Sequence, residues 1–321
     1  MEILLDNKNG NVWDITNMVS NVAWKTTRIG RASSLELTMI KGSPNQDKAF
    51  QCNNGDVIRV KDENQPVFYG YIFKIGSGKS EEVKITAYDQ IRYLMTNETY
   101  VGTNVTATQV IKKIANDLKL KLGVIEDTKH QIPTLIEDDK KLLDTICKSL
   151  DLTLIATTQN YVFYDHFGAL TLKNIKNMKA DVVIGDESLM HDYSYEKSID
   201  DETYNRIKII RDNKETGKRD VYIAEDSSNI AKWGRLQLLH KADEKMNEAQ
   251  INNLLDQLGT LKNREHRKIK ISAIGDLRIR AGCFVPIILS EFGIRQYFLV
   301  DECTHSWEGA DHTMSLDLKV I

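Results

Sequence analysis

Gly55-Asp56-Val57-Ile58-Arg59-Val60 and, far downstream, Gly282-Cys283-Phe284-Val285-Pro286-Ile287 are two versions of one pattern, a glycine followed by a short strand. In the first, alternation puts Val57 and Arg59 on one face and Ile58 and Val60 on the other. Tyr71-Ile72 comes sixteen residues after Gly55, and Tyr297-Phe298 fifteen after Gly282. Each copy then crosses a polar turn into a closing alternating strand, Val83-Lys84-Ile85 in one and Met314-Ser315-Leu316-Asp317-Leu318 in the other. The repeated spacing predicts two copies of one β-unit. Chance is the alternative, because Gly-led strands followed by aromatic strands are common in β-proteins. Pro286 stands where the first copy has Arg59; without an N–H, it puts its strand at an edge or a bulge.

Outward from these two stretches, the first hundred residues read as strands. Asn11 to Thr16, Val22 to Ile29 and Ser34 to Ile40 are rich in alternating or β-branched apolar residues, with turn chemistry at 6–10 and at Lys41-Gly42-Ser43-Pro44-Asn45. From about residue 100 the period becomes helical. Thr106-Ala107-Thr108, with a threonine available as a cap, precedes Val110, Ile111, Ile114, Ala115 and Leu118, and Lys140 to Leu150 repeats the pattern. Leu152 to Ala156 and Tyr161 to Tyr164 then read as a hairpin around Gln159-Asn160. Strands return from about 190 as Tyr193 to Lys197, Tyr204 to Arg211 and Arg219 to Ala224, with a turn at 213–217. A helix follows from Asn247 to Leu261, and the last strands are Lys268 to Ala273, Phe284 to Leu289, Tyr297 to Val300 and Met314 to Val320.

The fold class is therefore α+β, mainly β, with two similar small β-barrel units separated by an α+β middle section. The boundaries fall at 1–100 for the first barrel unit, 101–190 for the middle domain, and 191–321 for the second barrel unit with a helix at about 247–262. At 321 residues, 41% hydrophobic and 28% charged, the chain can bury cores of this number without staples. Cys52, Cys147, Cys283 and Cys303 are far apart with no C-x-x-C pair, which predicts reduced thiols. With 43 basic and 46 acidic side chains the net charge is −3, so no bulk field favours nucleic acid or an anionic membrane. No signal peptide or apolar run of spanning length is apparent.

Signatures of catalysis are few. There is no G-x-S-x-G elbow, P-loop, H-E-x-x-H or Gly-rich dinucleotide turn, and no cofactor is implied. Glu137-Asp138-Asp139 and Asp200-Asp201-Glu202 could supply paired carboxylates, but both stretches read as turns, where solvated carboxylates are the rule. The sharpest metal pattern is Cys303 and His305 on one face of a strand with His312 returning beyond a turn, and Asp301 or Asp311 nearest as a fourth ligand. The plainer reading is a strand pair whose polar side chains line a solvated or interface face. The basic run from Lys262 to Lys270 suits a helix C-terminus. Trp13, Trp24, Trp233 and Trp307 are scattered, as core or interface anchors are.

Taken in order, three stretches carry a family resemblance at the N-terminal end: Ala32 to Thr38, Asn54 to Val60 and Val67 to Ile72. Two more carry it at the far end, Val300 to Trp307 and His312 to Leu318. The chain resembles the baseplate hub proteins of contractile phage tails and phage-tail-like bacteriocins, in particular the XkdQ/YqbQ group, related to late control protein D and the myophage hubs. The likeness spans the whole chain, though the middle matches by length and order more than by motif.

The resemblance implies a homotrimer whose two β-units per chain form a six-barrel ring. Such a ring is a symmetry adaptor between a hexameric tail tube above and a trimeric spike below, alongside other baseplate proteins. DNA would at most pass through the lumen, and no membrane is involved. The protein would reside in the bacterial cytoplasm during assembly and then in the baseplate. No residue has a catalytic role in this reading; Gly55, Gly70, Tyr71, Gly282 and Tyr297 are turn and strand positions of the barrels. Two other readings stay open. One is a tail-associated peptidoglycan hydrolase, which requires convergent carboxylates or a metal. The other is a carbohydrate- or receptor-binding module, which predicts exposed aromatic platforms at Trp24, Trp233 or Trp307.

Overall fold

The computed structural model describes residues 1–42, 46–200, 202–213 and 217–319. Ser43-Pro44-Asn45 of the first expected turn, Lys214-Glu215-Thr216 of the second, Asp201 and Val320 lie outside the described residues. Strands dominate, as the alternation predicts.

The N-terminal strands are β1 (Glu2–Asp6), β2 (Val12–Asp14), β3 (Val19–Thr27), β4 (Ser34–Ile40), β5 (Val57–Asp62), β6 (Gln65–Ser77) and β7 (Glu82–Tyr88). They pair antiparallel in the order β3-β4-β7-β6-β5-β1-β2. Period-two alternation turns Leu35, Leu37 and Met39 of β4 and Val83, Ile85 and Ala87 of β7 into one core with Ile58, Val60 and Ile72.

The middle holds β8 (Asn97–Val105), α1 (Ala107–Asp117), β9 (Leu122–Ile125), β10 (Ile132–Lys141), α2 (Leu142–Thr157), β11 (Tyr161–Asp165) and β12 (Leu170–Asn174). Thr106 caps α1 in a reciprocal box with Gln109. The strand expected at Leu152 to Ala156 is instead the second half of α2, which ends at Thr158 with φ +57°. The β-branched residues there are overridden by packing: Ile146, Ser149 and Thr153 fall on one buried helical face, and the Thr153 hydroxyl donates to the Ser149 carbonyl at 2.9 Å. The hairpin is therefore β11 with β12, not a turn at Gln159-Asn160. Glu137-Asp138-Asp139 is likewise no turn; it lies in β10, where the register with β8 shifts between Glu137 and Lys140.

The C-terminal part holds β13 (Ile184–Gly185), β14 (Met190–Ser198), β15 (Arg206–Asn213), β16 (Lys218–Glu225), α3 (Ser227–Trp233), β17 (Gln237–Lys241), α4 (Glu248–Lys262), β18 (His266–Ile274), β19 (Phe284–Leu289), β20 (Ile294–Glu308) and β21 (Asp311–Lys319). β15, β16 and β17 form a separate sheet whose Ile207 and Ile209 pack on Ile251, Leu255 and Leu258 of α4. Asn247 caps that helix as expected, in a box with Gln250. The remaining strands run β14-β18-β21-β20-β19-β13, with β13 parallel to β19.

Five strands of the two ladders correspond in order and direction, β3-β4-β7-β6-β5 against β14-β18-β21-β20-β19, and they differ at the sixth, where β1 runs antiparallel to β5 but β13 parallel to β19. Two of the irregularities coincide, while the β5–β6 shift between Val60 and Lys61 has no counterpart in β19–β20. The β3–β4 register shifts between Val19 and Asn21, and β14–β18 between Met190 and Asp192. The β6–β7 register shifts between Ile72 and Lys74, and β20–β21 between Val300 and Glu302. Among the described residues no pairing joins first to last strand in either ladder, so each expected barrel is an open ladder here. The ladders join through β20, fifteen residues long, whose first half pairs with β19 and whose second half pairs with β3. Pro286 causes no bulge, since the β19–β20 register is continuous. It faces an interrupted edge, between the isolated Lys179–Phe284 bridge and the Ile184–Ile287 pair.

Candidate functional site: the seam between the two β-units

Two hydrogen bonds define the same turn in both ladders. The Gly55 N–H donates to the Ile72 carbonyl (2.7 Å) and the Ile72 N–H to the Asp56 carbonyl (2.9 Å); Gly282 with Val300 (2.8 Å) and Val300 with Cys283 (2.9 Å) repeat them. Both glycines have positive φ, +90° and +94°, a region that side chains rarely adopt. This anchors the repeat: Ile72 corresponds to Val300, so Tyr71-Ile72 corresponds to Leu299-Val300 and not to Tyr297-Phe298. Tyr297, opposite Pro286, corresponds to Tyr69, opposite Arg59. Gly70 corresponds to Phe298: a Cβ on Gly70 would run into the Phe68 ring and the Tyr88 carbonyl, while Phe298 itself fills the second core.

At the seam, β20 alternation directs Cys303, His305 and Trp307 inward opposite Thr26, Trp24 and Val22 of β3. β21 brings His312 beside them, since Trp307 pairs with His312 across the turn. His305 Nε2 lies 2.8 Å from the Ile279 carbonyl and Nδ1 lies 3.0 Å from His312 Nε2. A carbonyl only accepts, so Nε2 of His305 carries the proton and Nδ1 accepts from His312. Burial then pushes His305 down to about 4, and lowers His312 as well. Both nitrogens of His305 are thus committed. Burial pushes the Cys303 thiol up, away from the thiolate that a metal would need. Asp301 pairs with Arg28 and Lys319, and Asp311 is exposed. Among the described residues no cluster of three or more metal-ligating side chains occurs.

The aromatic rings stack through this seam. Trp24 lies 5.3 Å from His305 at 20°, and Trp307 lies 4.3 Å from His312 at 9°. The Trp307 indole N–H donates to Asp62 (3.2 Å), which also pairs with the amino group of Met1. A cleft of about 440 Å³ opens beside this group, with Asp62, Asp276, Arg278 and His312 on its walls. Trp24 and Trp307 are 6% and 5% exposed, so neither is the binding platform that a receptor module would present; Trp233 is half-buried.

The acidic stretches are engaged separately. Glu137 pairs with Lys148, Asp138 accepts from Thr99 and Asp139 from Asn97, and Glu202 pairs with Lys262. Two neighbouring buried carboxylates stand out that the sequence reading passed over, Asp89 and Asp165. Asp89 caps a short 3-10 turn and accepts from the Ser33 and Ile91 N–H groups; Asp165 accepts from Gln90 and Gly168. Burial, reinforced by the neighbouring Asp165 charge, pushes Asp89 up to about 7. The one available signal was an aspartate directly following a closing alternating strand.

This fold is that of phage tail proteins. The 43 kDa tail protein of prophage MuSo2 from Shewanella oneidensis matches over 99% of this chain and 98% of its own, with a TM-score of 0.73 at 13% identity. The chain belongs to the YqbQ-like family, whose model matches residues 22–319. Two Bacillus subtilis (strain 168) relatives are each 30% identical. YqbQ matches over 84% of this chain and 82% of its own length, and XkdQ of the phage-like element PBSX over 94% and 92%.

Proposed function

We propose that the protein is a structural component of a phage-type tail, namely the baseplate hub of a contractile injection apparatus. Three chains form a ring with pseudo-sixfold symmetry, the hexameric tail tube binds one side and the trimeric spike the other, and no catalysis is involved. The observation that carries this reading is the correspondence of five strands in the two ladders, with two shared register shifts and the matching Gly55 and Gly282 turns. A chain with two like units, repeated three times, presents six like surfaces to a sixfold partner while keeping threefold symmetry for the other. We take 1–100, 101–190 and 191–321 as the working division of the chain, with Gly55, Gly70, Tyr71, Gly282 and Tyr297 as positions that shape the units.

Membership in the family of XkdQ, a phage-like element protein, supports placement in a tail. The test is the solution mass by light scattering, with electron-microscope class averages of the same peak. A species near three times 36.6 kDa, seen as a ring with a central hole and sixfold-looking walls, is expected. A compact single chain that clears peptidoglycan, and loses that activity on one Asp or Glu substitution, would overturn it.

A further inference from the structure

Within the chain, the seam is an antiparallel strand pair. The second half of β20, just past its bulge, pairs with β3 in the register Glu302–Thr27, Thr304–Lys25, Ser306–Ala23. Through the repeat, β20 corresponds to β6 and β3 to β14. Val300 matches Ile72, so Glu302 matches Lys74; Trp24 and Tyr195, each paired with matching residues Leu35 and Ile269, match one another. The corresponding strand pair does not exist within the chain. Among the described residues, β14 pairs with β18 alone, and residues 74–77 of β6 pair with β7 alone. Both halves of a second seam are therefore present, each with an open ladder edge, and no pairing between them occurs in one molecule.

We infer that β14 of one chain pairs antiparallel with residues 74–80 of a second copy, in the register Lys74–Ser198, Gly76–Glu196, Gly78–Ser194. The inference rests on the ring proposed above and names the contact that closes it, with three such seams between chains alternating with three β3–β20 seams within chains. A nine-residue strand with an open edge invites uncontrolled pairing unless a specific partner covers it. The side chains suit that partner. At the bulge of the internal seam Arg28 meets Asp301 through both backbone and side chain. The matching positions are Ile199 and Phe73, an apolar pair in place of an ion pair, and Phe73 is 36% exposed in the single chain. Lys74 falls diagonally across from Glu196, a favourable cross-strand pair of charges. An interface in which different edges meet is head-to-tail, and closes into a ring when the rotation permits.

The test is disulfide trapping in the full-length chain, with the mass measured by light scattering on the same samples. Lys74–Ser198 matches the Glu302–Thr27 pair, which flanks the pair bonded through the Arg28 N–H and the Asp301 carbonyl. It is thus a non-hydrogen-bonded position with side chains close enough to bridge. The double variant Lys74→Cys/Ser198→Cys is oxidised and compared with each single variant and with the out-of-register pair Lys74→Cys/Lys197→Cys. Gly78→Cys/Ser194→Cys serves as a second in-register pair, because nothing lies near a Cβ at Gly78. The expected result is a three-chain mass and reductant-sensitive two- and three-chain bands from the in-register pairs only. A three-chain mass without those bands, or with equal bands from the out-of-register pair, would overturn the seam and leave the trimer standing. A single-chain mass without bands would overturn both.

Discussion

Nδ1 of His305 and Nε2 of His312 lie 3.0 Å apart across the last hairpin, with His305 wholly buried between the two β-units and hydrogen-bonded on its other side to the Ile279 carbonyl. Two neutral imidazoles joined in this way hold one tautomer each, and protonating His305 would set two donors against one another.

His305 therefore makes stability depend on pH. Its folded value, about 4, lies below the 6.5 of a free imidazole, so the unfolded chain takes up the proton first. The stabilisation is full above about pH 6.5 and is lost as pH falls toward 4, by about 3 kcal/mol. His305→Phe should flatten this slope while costing about 1–3 kcal/mol at pH 7, because the Ile279 carbonyl and His312 lose their partner. Urea unfolding at a series of pH values measures both.

Asp89 has the opposite sign. A carboxyl raised to about 7 is protonated in the fold at pH values where the unfolded chain is ionised, so its contribution is present below about pH 4 and is lost as pH rises through 7. Asp165→Asn removes the neighbouring charge and should lower the Asp89 midpoint, read by carboxyl-carbon NMR titration. An unchanged midpoint would mean that burial alone sets it.

Gly55→Ala and Gly282→Ala are predicted to differ, although the two turns share their hydrogen bonds. Both oppose a positive φ, at a cost of about 1–2 kcal/mol. A Cβ on Gly55 meets nothing within 4 Å, whereas one on Gly282 would come 2.8 Å from Val162. Gly282→Ala should therefore show the lower denaturant midpoint.

Ion pairs across the seam are expected to be unequal. Arg28 and Asp301 are 13% and 22% exposed and bonded at 2.9 Å, whereas Lys25 and Glu302 are 41% and 29% exposed. Arg28→Ala should cost about 1–3 kcal/mol, leaving a half-buried carboxylate short of a partner, and Lys25→Ala at most about 1 kcal/mol. Matched thermal melts of the two variants decide it.

Alternation of apolar residues made most strands of both ladders legible, because a half-buried strand must repeat every two residues, whereas β1 and the two-residue β13 were not read. Asn247 and the threonines of Thr106-Ala107-Thr108 marked two helix starts for an equally local reason, the unpaired N–H groups of the first turn, and the structure selects Thr106 of the two threonines. Leu152 to Ala156 was misread because its β-branched residues suit a strand locally. Only packing of Ser149 and Thr153 against the middle core makes a helix the better solution. The echo between the units was visible as a glycine-led strand, yet its offset was misplaced by two residues, since the turn between the paired strands spans residues 63–64 in the first unit and 290–293 in the second.

By itself, then, the sequence determined a mainly β chain with two related units and a mixed middle, since local periodicity and turn chemistry depend on neighbours a few residues away. Only the tertiary structure decided that Ile72 matches Val300, that β20 serves both cores, that His305 meets His312, and that Asp89 and Asp165 are buried as neighbours. Those relations join residues remote in the chain, and their energies exist only once backbone hydrogen bonding and exclusion of water have brought the strands together.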